Sequence, residues 1–231
     1  TCHWHYYKGQ PIGSLADMTC FSFHPVKTVT GGEGGAITTN DEKLYRHLMR
    51  LRTHGITRDP EEMVHPTDAL WYNEQVELGF NYRMTDFQAA LLLSQLKKLP
   101  MFRARRKEIK KRYDEAFGKM PELILQKEIP ESDTTWHLYV LHLNLENLNC
   151  DRRQFFDALY AEHTCPQVHY LPVYWHSYYE KLGYKKGLCP NAEKYYNEVM
   201  SIPLYYGLTD DDVEDVIHAV KKVVAYYTKL K

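Results

Sequence analysis

Along the chain, apolar residues alternate between two spacings. Leu44, Leu48 and Leu51 recur at helical intervals, which predicts a helix over 41–55, with Asp41 as its cap and Gly55 as its stop. "MTDFQAALLLSQLKKL" (84–99) predicts a second helix entered from Thr85 or Asp86. Pro100 then predicts a new start, and Phe102, Ile109, Tyr113 and Phe117 form the stripe of a third helix that Gly118 ends. Further on, Asp151 with Gln154, Asn191, and Thr209 with Asp212 mark three more helix starts. The last of these buries Val213, Val216, Ile217, Val220 and Val224. Short β-rich runs lie between: 16–24, 34–40, 134–143 and 166–173. Residues 56–80 hold Pro60 and Pro66 with no period and read as a long loop. Strands alternating with helices give an α/β or α+β class, and the change in character near Gly118 divides the chain into domains 1–117 and 118–231.

Composition narrows the picture only slightly. The 231 residues are 44% apolar and 26% charged, with a net charge of -1, which suits an ordinary globular chain with no general pull toward nucleic acid or anionic membrane. The longest apolar run, "AALLL" (89–93), is far below the ~18 residues of a membrane span. Five scattered cysteines without a CxxC pair suit a reducing cytoplasm. Seven basic residues between Arg103 and Arg112 crowd one helix; near-neutral overall charge favours a solvated helix face over an anion-binding one. The chain begins at Thr1 without a leader-like pattern and reads as a fragment starting in mid-domain.

The chemistry centres on "FSFHPVK" (21–27). Lys27 follows a run of apolar and neutral side chains, and such surroundings lower an amine's pKa toward nucleophilicity. Spacing alone still favours an ordinary surface lysine. Ser22 offers a hydroxyl at the end of the first long strand, suited to a phosphate oxygen. "GGEGG" (31–35) is neither a P-loop nor a dinucleotide fingerprint. His3, His5 and Cys2, or His163 with Cys165, lack a matching second pair, so no metal is expected. Asn81, Tyr82 and Arg83 stand just before a strong helix start, where they could meet an anion or brace the helix. The aromatic run 168–184 suits either stacking on sugars and bases or a core strip.

In order and spacing, "FSFHPVK", "GGEGGAITTND" and "LGFNYRMTDFQAALLLSQL" resemble the DegT/StrS family of pyridoxal-phosphate-dependent sugar-nucleotide aminotransferases, over essentially the whole chain. "LWYNEQVELGFNYR" and "QVHYLPVYWHSYYEKLGYKKG" resemble its branch serving pseudaminic acid synthesis. The resemblance implies an aspartate aminotransferase-like fold (fold type I): a large domain with a mostly parallel seven-stranded sheet, here partial, and a C-terminal α/β small domain. It implies pyridoxal 5'-phosphate as cofactor, L-glutamate as amino donor and a UDP-linked 4-keto-6-deoxy sugar as acceptor. Lys27 falls on the family's Schiff-base lysine and Ser22 on its cofactor-phosphate serine. Asn81 falls on the asparagine that reaches the neighbouring subunit's cofactor, which implies a homodimer. Tyr82, Arg83, His169 and Tyr170 fall in stretches lining the sugar-nucleotide groove. The family's cofactor-binding aspartate falls just before "TCH" (1–3), so the chain as given is expected to be inactive alone. A catalytically silent structural or sensor protein of the same fold is the alternative.

Overall fold

The computed structural model describes residues 5–229. Cys2 and His3, half of one possible metal pair and the end of the motif ahead of the chain, lie outside them. The order is β1 (Tyr6–Tyr7), β2 (Gln10–Pro11), β3 (Thr19–Ser22), β4 (Gly35–Thr38), α1 (Glu42–Arg52), β5 (Ile56–Thr57), β6 (Glu74–Gln75), α2 (Asp86–Phe117), β7 (Leu123–Ile124), β8 (Ser132–Asp133), β9 (Tyr139–Leu143), α3 (Arg152–Ala161), α4 (Ser177–Lys181), α5 (Pro190–Glu198), β10 (Val199–Ile202) and α6 (Asp210–Tyr227). The chain forms two compact units. The first runs to Leu99 and takes back Glu131–Thr134; the second holds Pro100–Pro130 and everything from Thr135.

In the first unit β3 and β4 form an antiparallel hairpin, with Ser22 opposite Gly35. β1 lies between β2 and β8, and β5 pairs with β6. Asp41 caps α1 by accepting from the Lys43 and Leu44 amides. In the second unit β9 is central, flanked by β10 and β7. Its residues alternate: Tyr139, Leu141 and Leu143 face the core while Val140 and His142 are half-buried. Ile109, Tyr113 and Phe117 of α2, Phe155 and Leu159 of α3, and the valines of α6 complete one contiguous apolar core. Both α3 and α6 begin with the reciprocal capping boxes their sequences announce, Asp151 with Gln154 and Thr209 with Asp212.

Several elements depart from the sequence reading. Every strand pairing among the described residues is antiparallel, so the mostly parallel sheet is not found among them. The link from β3 to β4 contains no helix, and a helix is the usual crossover that makes neighbours parallel. Pro100 does not start a helix; α2 runs through it for 32 residues. An interior proline costs about 3 kcal/mol, and burial of Leu99 just before it and of Ile109, Tyr113 and Phe117 beyond it offsets that cost. The strand predicted over 134–143 begins only at Tyr139, because the Trp136 and His137 carbonyls are bonded by the Arg106 guanidinium at 3.2 and 3.1 Å. Residues 166–173 make a single bridge, Gln167 with Ser201, and no strand. Asn191 caps nothing: α5 begins at Pro190 and ends at Glu198, and Val199–Ile202 form β10 with all four residues buried.

The basic helix is not a solvated face. Arg105 and Arg112 both reach Asp210, at 2.8 and 2.7 Å, and Arg112 also reaches Glu214 at 2.7 Å. Arg106 is buried and also donates to the Leu204 carbonyl at 2.7 Å; burial brings its pKa down to about 10.

Candidate active site

Ser22 ends β3, and the chain from Phe23 to Gly34 closes on itself. The Phe23 amide donates to the Gly34 carbonyl at 2.9 Å. The Phe23 carbonyl accepts from both the Gly31 amide (3.1 Å) and the Thr30 hydroxyl (2.9 Å), and that hydroxyl accepts from the Gly32 amide (2.9 Å). Inside this ring, a turn between His24 and Lys27 (Lys27 N–H to His24 carbonyl, 2.9 Å) sets the lysine. Phe23, Thr28 and Val29 are buried and anchor the loop; Lys27 is partly buried. No carboxylate among the described residues lies within ion-pair distance of its amine. His24 instead faces Glu33 at 3.8 Å.

The glycines fit this close packing. Gly34 has φ 128°, and a Cβ there would sit 2.7 Å from the Met84 methyl. Gly31 lies beside the Gln88 carbonyl of α2, and the Gln88 amide group donates to the Glu33 carbonyl at 3.4 Å. The lysine loop therefore packs on the start of α2.

Asn81, Tyr82 and Arg83 lead into that same helix start. They do not cap it: Thr85 and Gln88 do, by exchanging hydrogen bonds. The segment is instead laced to the end of α1. The Phe80 amide donates to the Leu51 carbonyl, the Tyr82 amide to that of Arg52, and Thr53 bridges Asn81. Gly55 and Gly79 pass so closely that a Cβ on either would collide with backbone of the opposing strand. Glu77 clamps the approach, accepting from Arg50 at 2.6 Å and meeting His47 at 2.7 Å, while Arg50 also pairs with Glu62 at 2.8 Å. The Arg50 hydrogen bond, aided by His47, holds the Glu77 carboxyl below its ordinary range. The Asn81, Tyr82 and Arg83 side chains remain exposed, with the Tyr82 ring stacked on Phe80 at 4.8 Å.

His169 and Tyr170 belong to the second unit. The His169 ring meets the Ser201 hydroxyl at 2.8 Å, and Tyr170 projects into solvent. The aromatic run beyond them divides between both readings: Tyr170 and Tyr178 are exposed, whereas Tyr174 and Trp175 turn inward onto Glu193. Neither the Glu77 clamp nor the Glu193 contact was visible to sequence reasoning, since the partners are far apart and follow no period. Among the described residues no cluster of His, Cys, Asp and Glu could hold a metal ion, and no helix is long and apolar enough to cross a membrane.

A family model, DegT/DnrJ/EryC1/StrS aminotransferase, matches residues 2–221. The chain belongs to that family. Its aminotransferases depend on pyridoxal phosphate and share the fold type I architecture. Among curated relatives of this DegT-family chain, the spore coat polysaccharide biosynthesis protein SpsC of Bacillus subtilis is 40% identical over 94% of the chain and 56% of the relative. The UDP-4-amino-4,6-dideoxy-N-acetyl-beta-L-altrosamine transaminase of Campylobacter jejuni is 36% identical, again over 94% and 56%. Among solved structures, Helicobacter pylori PseC, an aminotransferase of pseudoaminic acid biosynthesis, superposes with a TM-score of 0.86 at 29% identity, over 96% of this chain and 57% of that one. The chain thus spans a little over half the length of these DegT-family relatives.

Proposed function

We propose that this protein is a pyridoxal-phosphate-dependent transaminase that moves an amino group from L-glutamate to the 4-keto carbon of a UDP-linked 4-keto-6-deoxy sugar. Its place is cytoplasmic synthesis of pseudaminic acid or a related surface glycan, and its working form is a homodimer. The observation that carries this reading is Lys27: a partly buried amine, held in a closed loop a few residues from the Ser22 hydroxyl, with no carboxylate among the described residues within ion-pair distance. An amine in this closed loop and a hydroxyl at the strand end that leads into it fit an aldehyde-bearing phosphate ester. The names of the relatives support the sugar-nucleotide substrate.

The bound cofactor would supply a reactive aldehyde and a ring that accepts electrons. The remaining roles fall to the protein. Lys27 Nζ would hold the cofactor through its aldehyde and would be the base that moves a proton at the reacting carbon. Ser22 Oγ would donate to a phosphate oxygen. Asn81 would help hold the phosphate bound to a second copy of the chain, a role that requires a dimer. Arg83, exposed and cationic, suits the diphosphate, while Tyr82, His169 and Tyr170 offer flat faces with polar tips to the nucleotide sugar.

Full-length protein loaded with pyridoxal phosphate should absorb near ~410–430 nm, the range of the lysine-linked cofactor. Lys27→Ala should remove that band and lower turnover by about a thousandfold or more. A wild-type spectrum in the variant would refute the assignment, and a wild-type protein that never develops the band would favour the silent alternative.

A further inference from the structure

The Glu193 carboxylate gathers a loop that the proposed chemistry leaves unassigned. One of its oxygens, Oε1, accepts from the Tyr174 hydroxyl at 2.6 Å, the Gly187 amide at 2.6 Å and the Trp175 indole N–H at 3.4 Å. The Tyr174 hydroxyl accepts in turn from the Cys189 amide at 3.2 Å, and the Lys186 ammonium sits over the Trp175 ring at 4.4 Å. Glu193 lies in the first turn of α5, where a carboxylate is favoured by the helix dipole. The segment 167–187 is therefore pinned twice to one continuous stretch of chain: at Gln167 and His169 by Ser201 of β10, and at Tyr174, Trp175 and Gly187 by Glu193 of α5. Between the two pins, Tyr170 projects outward and is largely exposed.

We propose that Glu193 is a positioning residue for nucleotide-sugar binding: its carboxylate fixes the course of residues 170–187 and so the presentation of Tyr170 beside His169. This deepens the transaminase reading and rests on it. An exposed tyrosine between two fixed points loses little freedom when a ligand stacks on it; the same tyrosine on a segment with one end unpinned must be ordered by the ligand, which weakens binding. The hydrogen bonds at Oε1 hold the Glu193 carboxyl below its ordinary range, Tyr174 contributing most, so the pin is charged at neutral pH.

The test uses the full-length, cofactor-loaded protein, with UDP and dTDP titrated separately as probes and the better binder retained. Glu193→Ala should weaken nucleotide binding about tenfold and speed tryptic cleavage after Lys185 or Lys186 severalfold, with the lysine-linked cofactor band intact. Glu193→Gln keeps an acceptor oxygen and should recover most of both effects. Wild-type nucleotide affinity in Glu193→Ala would overturn the proposal, and so would loss of the cofactor band together with affinity, which would mark a general folding role. Failure of the wild-type protein to bind either nucleotide would overturn both the positioning role and the sugar-nucleotide reading, whereas failure of the Lys27 test alone would strike only the chemistry.

Discussion

In the second unit, Phe155, Leu159, Leu141, Leu143 and the valines of α6 are buried almost completely against one antiparallel sheet. In the first, the buried hydrophobic residues among those described are Phe23, Val29, Leu92 and Leu99, while Leu70, Trp71, Leu78 and Phe87 stand exposed. Among the described residues, the ties within the first unit are mostly polar: backbone bonds between the end of α1 and residues 80–82, the Glu77 clamp, and the closed ring of hydrogen bonds around Lys27. A core resists change through area and close packing, whereas a polar lattice depends on each tie having its partner and on solution conditions. The proposed chemistry is centred on the lattice.

The contrast can be broken most forcefully in the core. Phe155→Ala should cost about 3–5 kcal/mol, the range for truncating a fully buried aromatic, seen as an earlier urea transition of the second unit; a loss under 1 kcal/mol would mean that this core is not the source of its stability. Next is Gly79→Ala. The added methyl collides with the His54 and Gly55 backbone and should cost about 1–3 kcal/mol. Its signature is local: faster amide exchange at His54, Phe80 and Tyr82, with the second unit's amides unchanged.

The smallest effect should come from acid. The folded pKa of Glu77 is depressed, so the stability it contributes is fully present above the ordinary carboxylate value, about 4.3, and is lost as pH falls through the folded value. Protection of the Val76 and Tyr82 amides, measured against their intrinsic exchange rates at each pH, should fall as pH drops below about 4.3. Glu77→Gln should show protection lowered by about fivefold at pH 7 and constant across that window. A variant with the wild-type acid profile would remove Glu77 from the account.

The same contrast governs what could be read from the chain. Where periodic burial and local caps agree, as in α3 and α6, the sequence is sufficient, because the caps lie within three residues of their partners. Pro100 misleads because distant packing overrides local preference, and the four residues of β10 are too few to carry a period that separates strand from helix. The basic face of α2 was misjudged for the same reason, since Asp210 and Leu204 lie about a hundred residues away in the chain. Lys27 and Ser22 were legible only as a motif; neither burial nor charge pattern distinguishes them. Glu193 was illegible, since its partners on 174–187 meet it only once the loop has folded.

The ring around Lys27 has a kinetic consequence. Every bond that closes it joins residues no more than about a dozen apart, and loops of that length close in roughly 10–100 ns. The β9–β10 pairing, by contrast, joins Tyr139 to Ile202 and must await a far longer search. During synthesis or refolding, the bend that presents the amine can be sampled long before the central sheet of the second unit exists.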